Sequence, residues 1–329
     1  MDWGESFVNA ILAATGPVAI AYVISALGLN LQFGYTGLLN FGHVAFMMVG
    51  AYGTAITVEL GASLWLAIPV GILAAVVLGL ILGLPTLRLR ADYLAITTIA
   101  AAEVLRLVIR SSWADPVTGS VFGIQGFADE FFALNPFTSS AVYSLGPFDV
   151  TGRRLWVMVV GWTLAIVLIL VVRRLLRSPW GRLIRAIRED EDAVRSLGKN
   201  VFARKLQVLT LGGALASIGG IVLAVEQQNV VPQNYLPVTT FILYVIVILG
   251  GAGTVWGPLV GAMLFQFIFF FFDTMMRNAQ ANVSWVSAFI SEAGAAQVRF
   301  VLVGLGLVAL LAFRRQGILG NRQEAVFGA

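Results

Sequence analysis

The chain is interrupted by one strongly charged stretch, RRLLRSPWGRLIRAIREDEDAVRSLGKNVFARK, which occupies residues 173–205. This stretch contains ten of the chain's 21 Lys and Arg residues and the four consecutive acids of residues 189–192. An excess of Lys and Arg in a short connection marks the cytoplasmic side of a membrane protein. Because the sequence on either side is apolar enough to lie in lipid, we predict that residues 173–205 form a cytoplasmic segment between two membrane spans.

The charged segment has the signals of a short amphipathic helix. Ser178 is a suitable N-cap, and Pro179 suits the first helical position, where a missing N–H costs nothing. Apolar residues then recur at helical spacing as far as Leu197. Gly198 is a typical helix stop. We therefore predict one cytoplasmic helix at about 179–197 that is available to a partner.

The composition is that of a helical membrane protein. The 329 residues are 59 % hydrophobic and 12 % charged, with a mean hydropathy of +0.89, whereas soluble domains contain about 25 % charged residues. Apolar runs of about 20 residues, the length that crosses a bilayer, recur along the chain. The predicted fold class is an all-α integral membrane protein, a polytopic helical bundle forming a single domain over residues 1–329.

We predict about nine membrane spans, within roughly 8–10, with the C-terminus inside and the N-terminus outside. Residues 111–152 contain no Lys or Arg and are assigned to an extracytoplasmic loop, and residues 314–329 to a cytoplasmic tail. The spans are assigned to approximately 8–29, 34–60, 64–84, 91–109, 155–172, 206–225, the stretch from 241, 259–272 and 300–313.

The second predicted span, 34–60, is interrupted by five glycines and contains Asn40 and His43. Two structures account for this pattern: a discontinuous span whose irregular backbone is covered by protein, or a straight helix whose glycines pack against neighbouring helices. A second glycine-rich segment lies at 250–261. Because transporters are often built from inverted repeats with broken helices at a central site, we hypothesise an inverted repeat.

The fourth predicted span contains two charged residues, Glu103 and Arg106, three positions apart. Residues at this spacing share one face of a helix. Charges at membrane depth are costly and usually paired in the protein interior. We predict an intramembrane ion pair with a structural role, and a role in gating or in the substrate path is the alternative.

Several classes of chemistry lack their motifs in this sequence. No glycine-rich loop is followed by Lys-Ser or Lys-Thr, so ATP binding through a P-loop is excluded. The absence of cysteine and the single histidine exclude thiolate and multi-histidine metal sites. The acids at 189–192 lack the spacing of a calcium loop. We therefore expect no catalytic residue, no metal and no cofactor in this chain.

Several motifs occur in one order along the chain. In residues 178–209, Asp192-Ala193-Val194 and Gly198 keep the spacing of a Glu-Ala-Ala, three residues, Gly pattern, with Asp for Glu and Val for the second Ala. The others are YLAITTIAAAEVLRLVIRSSW (93–113), VTGSVFGI (117–124), GYTGLLNFGHVAFMMVGAY (34–52), GGAGTVWGPLVGA (250–262) and GILG (317–320). Together they resemble the permease subunits of ABC importers of the branched-chain amino acid type.

The resemblance implies a permease subunit of the bacterial inner membrane. Such subunits pair with a homologous second permease and with two cytoplasmic ATPase subunits, which carry the ATP and Mg²⁺ that this chain is not expected to bind. A periplasmic or lipid-anchored binding protein delivers the substrate. The chain is then a transport subunit and not an enzyme.

The resemblance also assigns roles to residues. The coupling helix would lie in a cleft of the ATPase dimer, with Leu183, Ile184 and Ile187 as apolar anchors. The residues assigned to ATPase coupling are Pro179, Gly181, Arg182, Leu183, Ile184, Arg185, Ile187, Arg188, Asp192 and Gly198. The residues assigned to the substrate path, where dipoles and an apolar wall would meet a zwitterion, are Gly37, Asn40, His43, Thr239 and Thr240.

Other functions remain open at this stage. In one alternative, the same type of permease imports urea, short amides or other amino acids. Composition does not distinguish this alternative from the import of branched-chain amino acids. A stand-alone channel or secondary transporter would not need the coupling segment, and would more often show a conspicuous intramembrane acid for ion coupling. A membrane-bound enzyme would need clustered His, Asp or Ser residues, which a single histidine disfavours.

Overall fold

A computed structural model describes residues 3–139, 141–146, 148–282, 301, 304 and 317–320 of the chain. Within them, long helices form a bundle, and the connections carry two small two-stranded sheets. The helices are α1 (Trp3–Thr15), α2 (Pro17–Leu29), α3 (His43–Glu59), α4 (Leu64–Thr86), α5 (Ala91–Arg110), α6 (Asp115–Thr118), α7 (Asp129–Ala133), α8 (Gly152–Leu176), α9 (Pro179–Glu189), α10 (Glu191–Ser196), α11 (Val201–Gln227), α12 (Pro237–Gly250) and α13 (Gly257–Asn282). The strands are β1 (Ile124–Gln125), β2 (Val142–Leu145), β3 (Phe148–Thr151) and β4 (Asn229–Val230).

Several of these helices have the length and apolarity of membrane spans, which confirms a polytopic helical membrane protein. Those that are long enough in the described chain are Pro17–Gly34, Leu64–Thr86, Gly152–Leu176, Val201–Gln227 and Gly257–Asn278. The total of about nine spans and the inverted repeat stay predictions. Except for residues 301, 304 and 317–320, the last predicted span, 300–313, and the predicted tail, 314–329, lie outside the described residues.

The centre of the bundle is formed by α2, α3 and α11. In the apolar 18-residue stretch of each helix, 83 % of the residues are buried in Pro17–Gly34 and 72 % in α11. The corresponding share is 28 % in both α4 and α8. A Cβ atom at Gly28 would lie 2.3 Å from the Gly212 carbonyl oxygen, and one at Gly220 would lie 2.2 Å from that of Met47. Because a side chain does not fit at these distances, α11 meets α2 and α3 backbone to backbone, as small residues allow in membranes.

The outer helices bury one narrow stripe each. On α8, Gly161, Ala165 and Ile169 are buried at four-residue spacing, while Val167 and Val171 on the opposite face are about half exposed. Four-residue spacing follows one side of a helix, so the remaining apolar surface faces outward as lipid requires. The corresponding stripe on α4 is Ala67, Gly71, Ala75, Gly79 and Gly83.

The predicted first span, 8–29, is wrong in outline because the helix breaks at Gly16. α1 ends at Thr15, and α2 begins at Pro17, whose missing N–H suits this position. The Thr15 carbonyl accepts a hydrogen bond from the Trp162 indole nitrogen at 2.8 Å. α8 therefore satisfies a backbone group that the break sets free.

The predicted second span is discontinuous, and the straight-helix alternative is wrong. The helix that begins with α2 continues through a π-helical turn, Asn30–Gly34, and α3 begins only at His43. Residues 37–42 between them are not helical. Gly37 has a φ of +73°, a left-handed conformation that glycine adopts without strain.

The predicted loop 111–152 is folded. Strands β2 and β3 form an antiparallel hairpin, and β1 pairs with β4, which follows α11. The pairing of Ile124 with Val230 places the connection between α5 and α8 on the same side of the bundle as the connection between α11 and α12. Both connections were predicted to be on the outside.

Because α11 lies so close to α3 at Gly220, one methyl group added there should lower the stability of the protein. Gly220→Ala should destabilise the protein by about 1–3 kcal/mol, the usual range for overpacking, because its Cβ would meet the Met47 backbone. Gly4→Ala is the matched control, since no atom lies within 4 Å of its Cβ position. The measurement is thermal unfolding in detergent, and equal melting temperatures for the two variants would contradict the prediction.

Candidate functional site

A buried polar network fills the break between α2 and α3. Its members are the π-helical turn residues Asn30 and Gln32, together with Asn40 and His43, and all four side chains are at most 1 % exposed. Buried polar groups are costly in an apolar environment unless they are hydrogen-bonded. The hydrogen bonds of these residues therefore determine how the break is held.

Gln32 is the hub of this network. Its amide nitrogen donates to the Leu209 carbonyl of α11 at 3.0 Å, and its amide oxygen accepts from Asn40 Nδ2 at 3.0 Å. His43 Nδ1 lies 3.1 Å from the same oxygen, and His43 Nε2 lies 3.0 Å from the Ser25 carbonyl. Both partners of the ring are oxygen acceptors, so a neutral His43, which has one N–H, donates to only one of them at a time. One glutamine thus joins α2, α3 and α11.

Hydroxyl groups satisfy the backbone where α3 begins. The Thr240 hydroxyl of α12 accepts from the Val44 N–H at 3.0 Å, and the Thr98 hydroxyl of α5 accepts from the Phe41 N–H at 3.1 Å. The first N–H groups of a helix have no partner within the helix. Neighbouring helices therefore supply the acceptors that water would supply outside a membrane.

Asn30 connects the two glycine-interrupted segments. Its side chain donates to the Thr254 carbonyl at 2.8 Å and accepts from the Gly253 N–H at 2.9 Å. The turn between α12 and α13 also contacts the described part of the tail, because the Ile318 N–H donates to the Leu249 carbonyl at 2.9 Å. Two segments that are more than 200 positions apart are thereby clamped together.

The structure places the predicted substrate-path residues in two different environments. Asn40, His43 and Thr240 lie together in the buried network, and Thr239 is buried on α12 nearby. Gly37 is exposed and instead lines a cavity next to the coupling segment. Gln32 and Asn30 were missed, although polar residues in an apolar run next to the glycine cluster were a signal that could have found them.

An aromatic wall lies beside the network. Phe41 packs on Tyr244 with ring centroids 4.7 Å apart and on Phe241 at 5.3 Å, and Phe33 meets Tyr244 edge-on. The buried Tyr244 hydroxyl lies beside the Asn40 backbone and makes no hydrogen bond of good geometry within the described residues. An apolar wall with one weakly bonded hydroxyl is suited to binding an apolar side chain next to a polar head.

The predicted single helix at 179–197 is wrong, because two helices occupy it. Asp190 leaves the helical conformation, and its carboxylate accepts from the Ala193 N–H at 2.9 Å as the N-cap of α10. Acids in the following turn suit a helix N-terminus. Gly198, with a φ of +73°, ends α10 as expected. Pro179 begins α9 as predicted, but Ser178 donates to the Leu175 carbonyl instead of capping.

The apolar anchors predicted for a partner are buried in this chain. Ile184 is 0 % exposed and belongs to the main core of the bundle, and Ile187 packs with Val194 and Val201 in a small core of its own. Gly181 allows close approach, but to Leu176 of the same chain. Leu183 is partly buried against the small core. These residues fasten α9 to the membrane helices.

The basic residues of α9 divide into bonded and free groups. Arg188 donates to the Gly34 carbonyl at 2.5 Å, and Arg185 donates to the Leu176 carbonyl at 3.3 Å. Arg182 is exposed on the outer face, as is the apolar Leu197 at the end of α10, which is 77 % exposed. The outer surface of the segment is therefore charged, with the apolar Leu197 at its edge.

The acids at 189–192 are largely used within the segment. Glu191 pairs with Arg195 at 3.0 Å and with Lys205 of α11, and Asp192 pairs with Arg195 at 3.1 Å. Asp190 caps α10, and Glu189 is exposed on the outer face of α9. Three of the four acids thus stabilise the connection from α9 through α10 to α11.

Glu103 and Arg106 form an ion pair on α5, and its location within the membrane stays a prediction. Arg106 Nε lies 2.9 Å from Glu103 Oε2, and Arg106 Nη2 lies 2.5 Å from Oε1. The Arg106 side chain is 7 % exposed and that of Glu103 is 35 % exposed. Two parallel hydrogen bonds neutralise both charges within one face of α5.

These features define a membrane protein with a broken interior helix sealed by polar side chains, an arrangement that transporters place at a central site. The family model described as the branched-chain amino acid transport system permease component matches residues 12–313. The chain belongs to this family, whose members are permease subunits of transporters.

The similar proteins include permeases for two kinds of substrate. LivM, the high-affinity branched-chain amino acid transport system permease of Escherichia coli, is 33 % identical over 77 % of this chain and 63 % of its own length. The probable LivM of Methanocaldococcus jannaschii is 25 % identical over 92 % of this chain and 91 % of its own. The ribose import permease RbsC of Haemophilus influenzae is 24 % identical over 97 % and 84 %, respectively. The chain therefore matches less than two thirds of the length of the Escherichia coli relative.

Removal of the Thr240 hydroxyl, which accepts a hydrogen bond from the start of α3, should lower the stability of the protein. Thr240→Val keeps the side-chain shape but leaves the buried Val44 N–H without an acceptor, which costs about 1–3 kcal/mol. Thr163→Val on the exposed face of α8 is the matched control, because its hydroxyl bonds only within its own helix. Thermal unfolding in detergent should show a lower melting temperature for Thr240→Val alone, and a loss shared by both variants would refute the assignment.

Proposed function

We propose that this chain is the transmembrane permease subunit of an ATP-driven importer of branched-chain, hydrophobic amino acids in the bacterial inner membrane. Its partners are a homologous second permease, two cytoplasmic ATPase subunits and a periplasmic or lipid-anchored binding protein. ATP and Mg²⁺ bind to the ATPase subunits. Family membership supports the permease role, and the cytoplasmic segment supports the coupling to separate ATPases.

The observation that carries the proposal is the attachment of α9 to the break between α2 and α3. Ile184 is buried in the core of the membrane helices, and Arg188 bonds to the carbonyl of Gly34, the last residue of the π-helical turn. A force applied to α9 therefore reaches that turn directly. Rigid-body movement of packed helices is a common way to open a path to alternate sides.

The docking surface we propose is the exposed outer face of the coupling segment. Arg182, Glu189 and Leu197 are exposed there, whereas Ile184 and Ile187 are not. Charged residues around one apolar contact suit a reversible protein interface, in which few residues supply most of the affinity. This revises the sequence-based assignment, in which Ile184 and Ile187 were the anchors.

The proposed substrate path runs along the aromatic wall beside the buried network. Asn40, His43 and Thr240 hold the backbone in place, and the Tyr244 hydroxyl beside the Asn40 backbone is available to the polar head of a substrate. The aromatic rings next to it accommodate an apolar side chain. A second candidate is import of another small polar solute by the same scaffold, which the similarity to a ribose permease favours.

Loss of the exposed apolar residue should weaken ATPase docking. Leu197→Asp places a charge at the edge of the proposed interface, and we expect co-purification of the ATPase subunits to fall about tenfold, which is about 1.4 kcal/mol. Leu60→Asp is the control, since Leu60 is 82 % exposed at the end of α3, remote from the coupling segment. Normal ATPase co-purification with Leu197→Asp would remove the outer face of α10 from the interface.

Uptake by the assembled system tests the substrate class. Cells that express the chain with its neighbouring permease, ATPase and binding-protein genes should accumulate labelled leucine, isoleucine and valine in competition with one another. Ribose, urea and acetamide serve as the contrasting solutes. Uptake of any of these in preference to the three amino acids would overturn the substrate assignment and leave the permease role in place.

A further inference from the structure

A cavity of about 1040 Å³ lies at the cytoplasmic end of the bundle. It is enclosed by the broken segment at Thr36–Leu39, the turn Leu87–Arg90 between α4 and α5, and the coupling segment. Ile187 and Arg188 of α9 line it, but Arg182 does not. The cavity therefore lies on the side of α9 that faces α4, α5 and α11, away from Arg182.

The lining of this cavity is strongly basic. Six basic and two acidic side chains line it, which leaves an excess of four positive charges. They are Arg88, Arg90, Arg188, Arg195, Lys199, Lys205, Glu191 and Asp192.

Three of the basic side chains, Arg88, Arg90 and Lys199, have neither an ionic partner nor a side-chain hydrogen bond in the described part of the chain. Arg195 and Lys205 are paired with the two acids, and Arg188 donates to a carbonyl. Arg88 makes one contact of another kind, with its guanidinium 5.9 Å from the centre of the Phe202 ring. Like charges gathered in one concave site repel each other and raise the local concentration of anions.

The position of the cavity favours the phosphate of a lipid. Leu84 and Leu89, on either side of Arg88, are 51 % and 43 % exposed, so apolar surface for an acyl chain adjoins the cations. The cytoplasmic leaflet carries the anionic lipids, and basic pockets between helices on that side bind their headgroups. Arginine matches phosphate through two parallel hydrogen bonds.

We propose that this cavity binds a phosphate group, supplied by the headgroup of an anionic phospholipid in the cytoplasmic leaflet. Arg88, Arg90 and Lys199 contact the phosphate. The bound lipid bridges the turn between α4 and α5 and the start of α11, and so holds the coupling segment against the membrane helices. The site depends on the cytoplasmic location of this end of the bundle and not on the substrate that the protein carries.

The test compares two double variants of the purified complex. Arg88→Gln with Arg90→Gln removes two charges from the cavity, and Arg174→Gln with Arg177→Gln removes two exposed charges from the end of α8 outside it. Native mass spectrometry measures retained phosphatidylglycerol against phosphatidylcholine. A hydrogen bond to a charged phosphate contributes about tenfold in affinity, and the control loses no such bond. We therefore expect the cavity variant to retain phosphatidylglycerol about a hundredfold more weakly and the control to lose at least tenfold less.

Thermal unfolding in nanodiscs identifies the source of the phosphate. Phosphatidylglycerol should raise the melting temperature of the unmodified protein and of the control but not of the cavity variant, and all three should melt alike in phosphatidylcholine alone. Stabilisation by inorganic phosphate, dependent on Arg88 and Arg90 and without an effect of phosphatidylglycerol, would overturn the lipid source. Equal retention of phosphatidylglycerol by both double variants would overturn the site.

Discussion

One amide group, that of Gln32, holds the interior of this protein together. It bonds to the Leu209 carbonyl, to Asn40 and to His43, and so connects α11 with both sides of the broken helix. In the bilayer core no water replaces a lost backbone hydrogen bond. An irregular segment is therefore stable at this depth only because side chains of the protein satisfy it, and the glycine contacts around α11 bring those side chains within reach.

The break between α2 and α3 is hydrogen-bonded from two sides. Gln32 and Asn30 hold it from within the bundle, and Arg188 holds the Gly34 carbonyl from the cytoplasmic segment. The helix that faces the ATPase in the proposed mechanism is thus bonded to the backbone of the segment that lies next to the proposed substrate path. Because these contacts are direct hydrogen bonds, no intervening side chain separates α9 from the break, and a displacement of α9 acts on it directly.

The sequence predicted the elements better than it predicted their contacts. Apolar runs located most of the long helices, and the glycines at 34–53 led to two alternatives, of which the discontinuous span is correct. Both signals are local properties of the sequence. The break at Asp190 was also local, yet the cap signal competed with an apolar spacing that continued to Leu197. Burial of Ile184 was not predictable, since an amphipathic helix has the same pattern whether its apolar face meets its own chain or a partner.

Several polar contacts between segments join a side chain to a backbone carbonyl, as in the bonds to Gly34, Leu176, Leu209 and Thr254. A carbonyl oxygen is present whatever residue supplies it. A substitution at the accepting position therefore leaves the acceptor in place. To keep the hydrogen bond, natural selection needs to preserve only the residue that donates it. Among related sequences, such contacts should leave conserved single positions rather than correlated pairs, so covariation methods would underestimate how tightly these helices are joined.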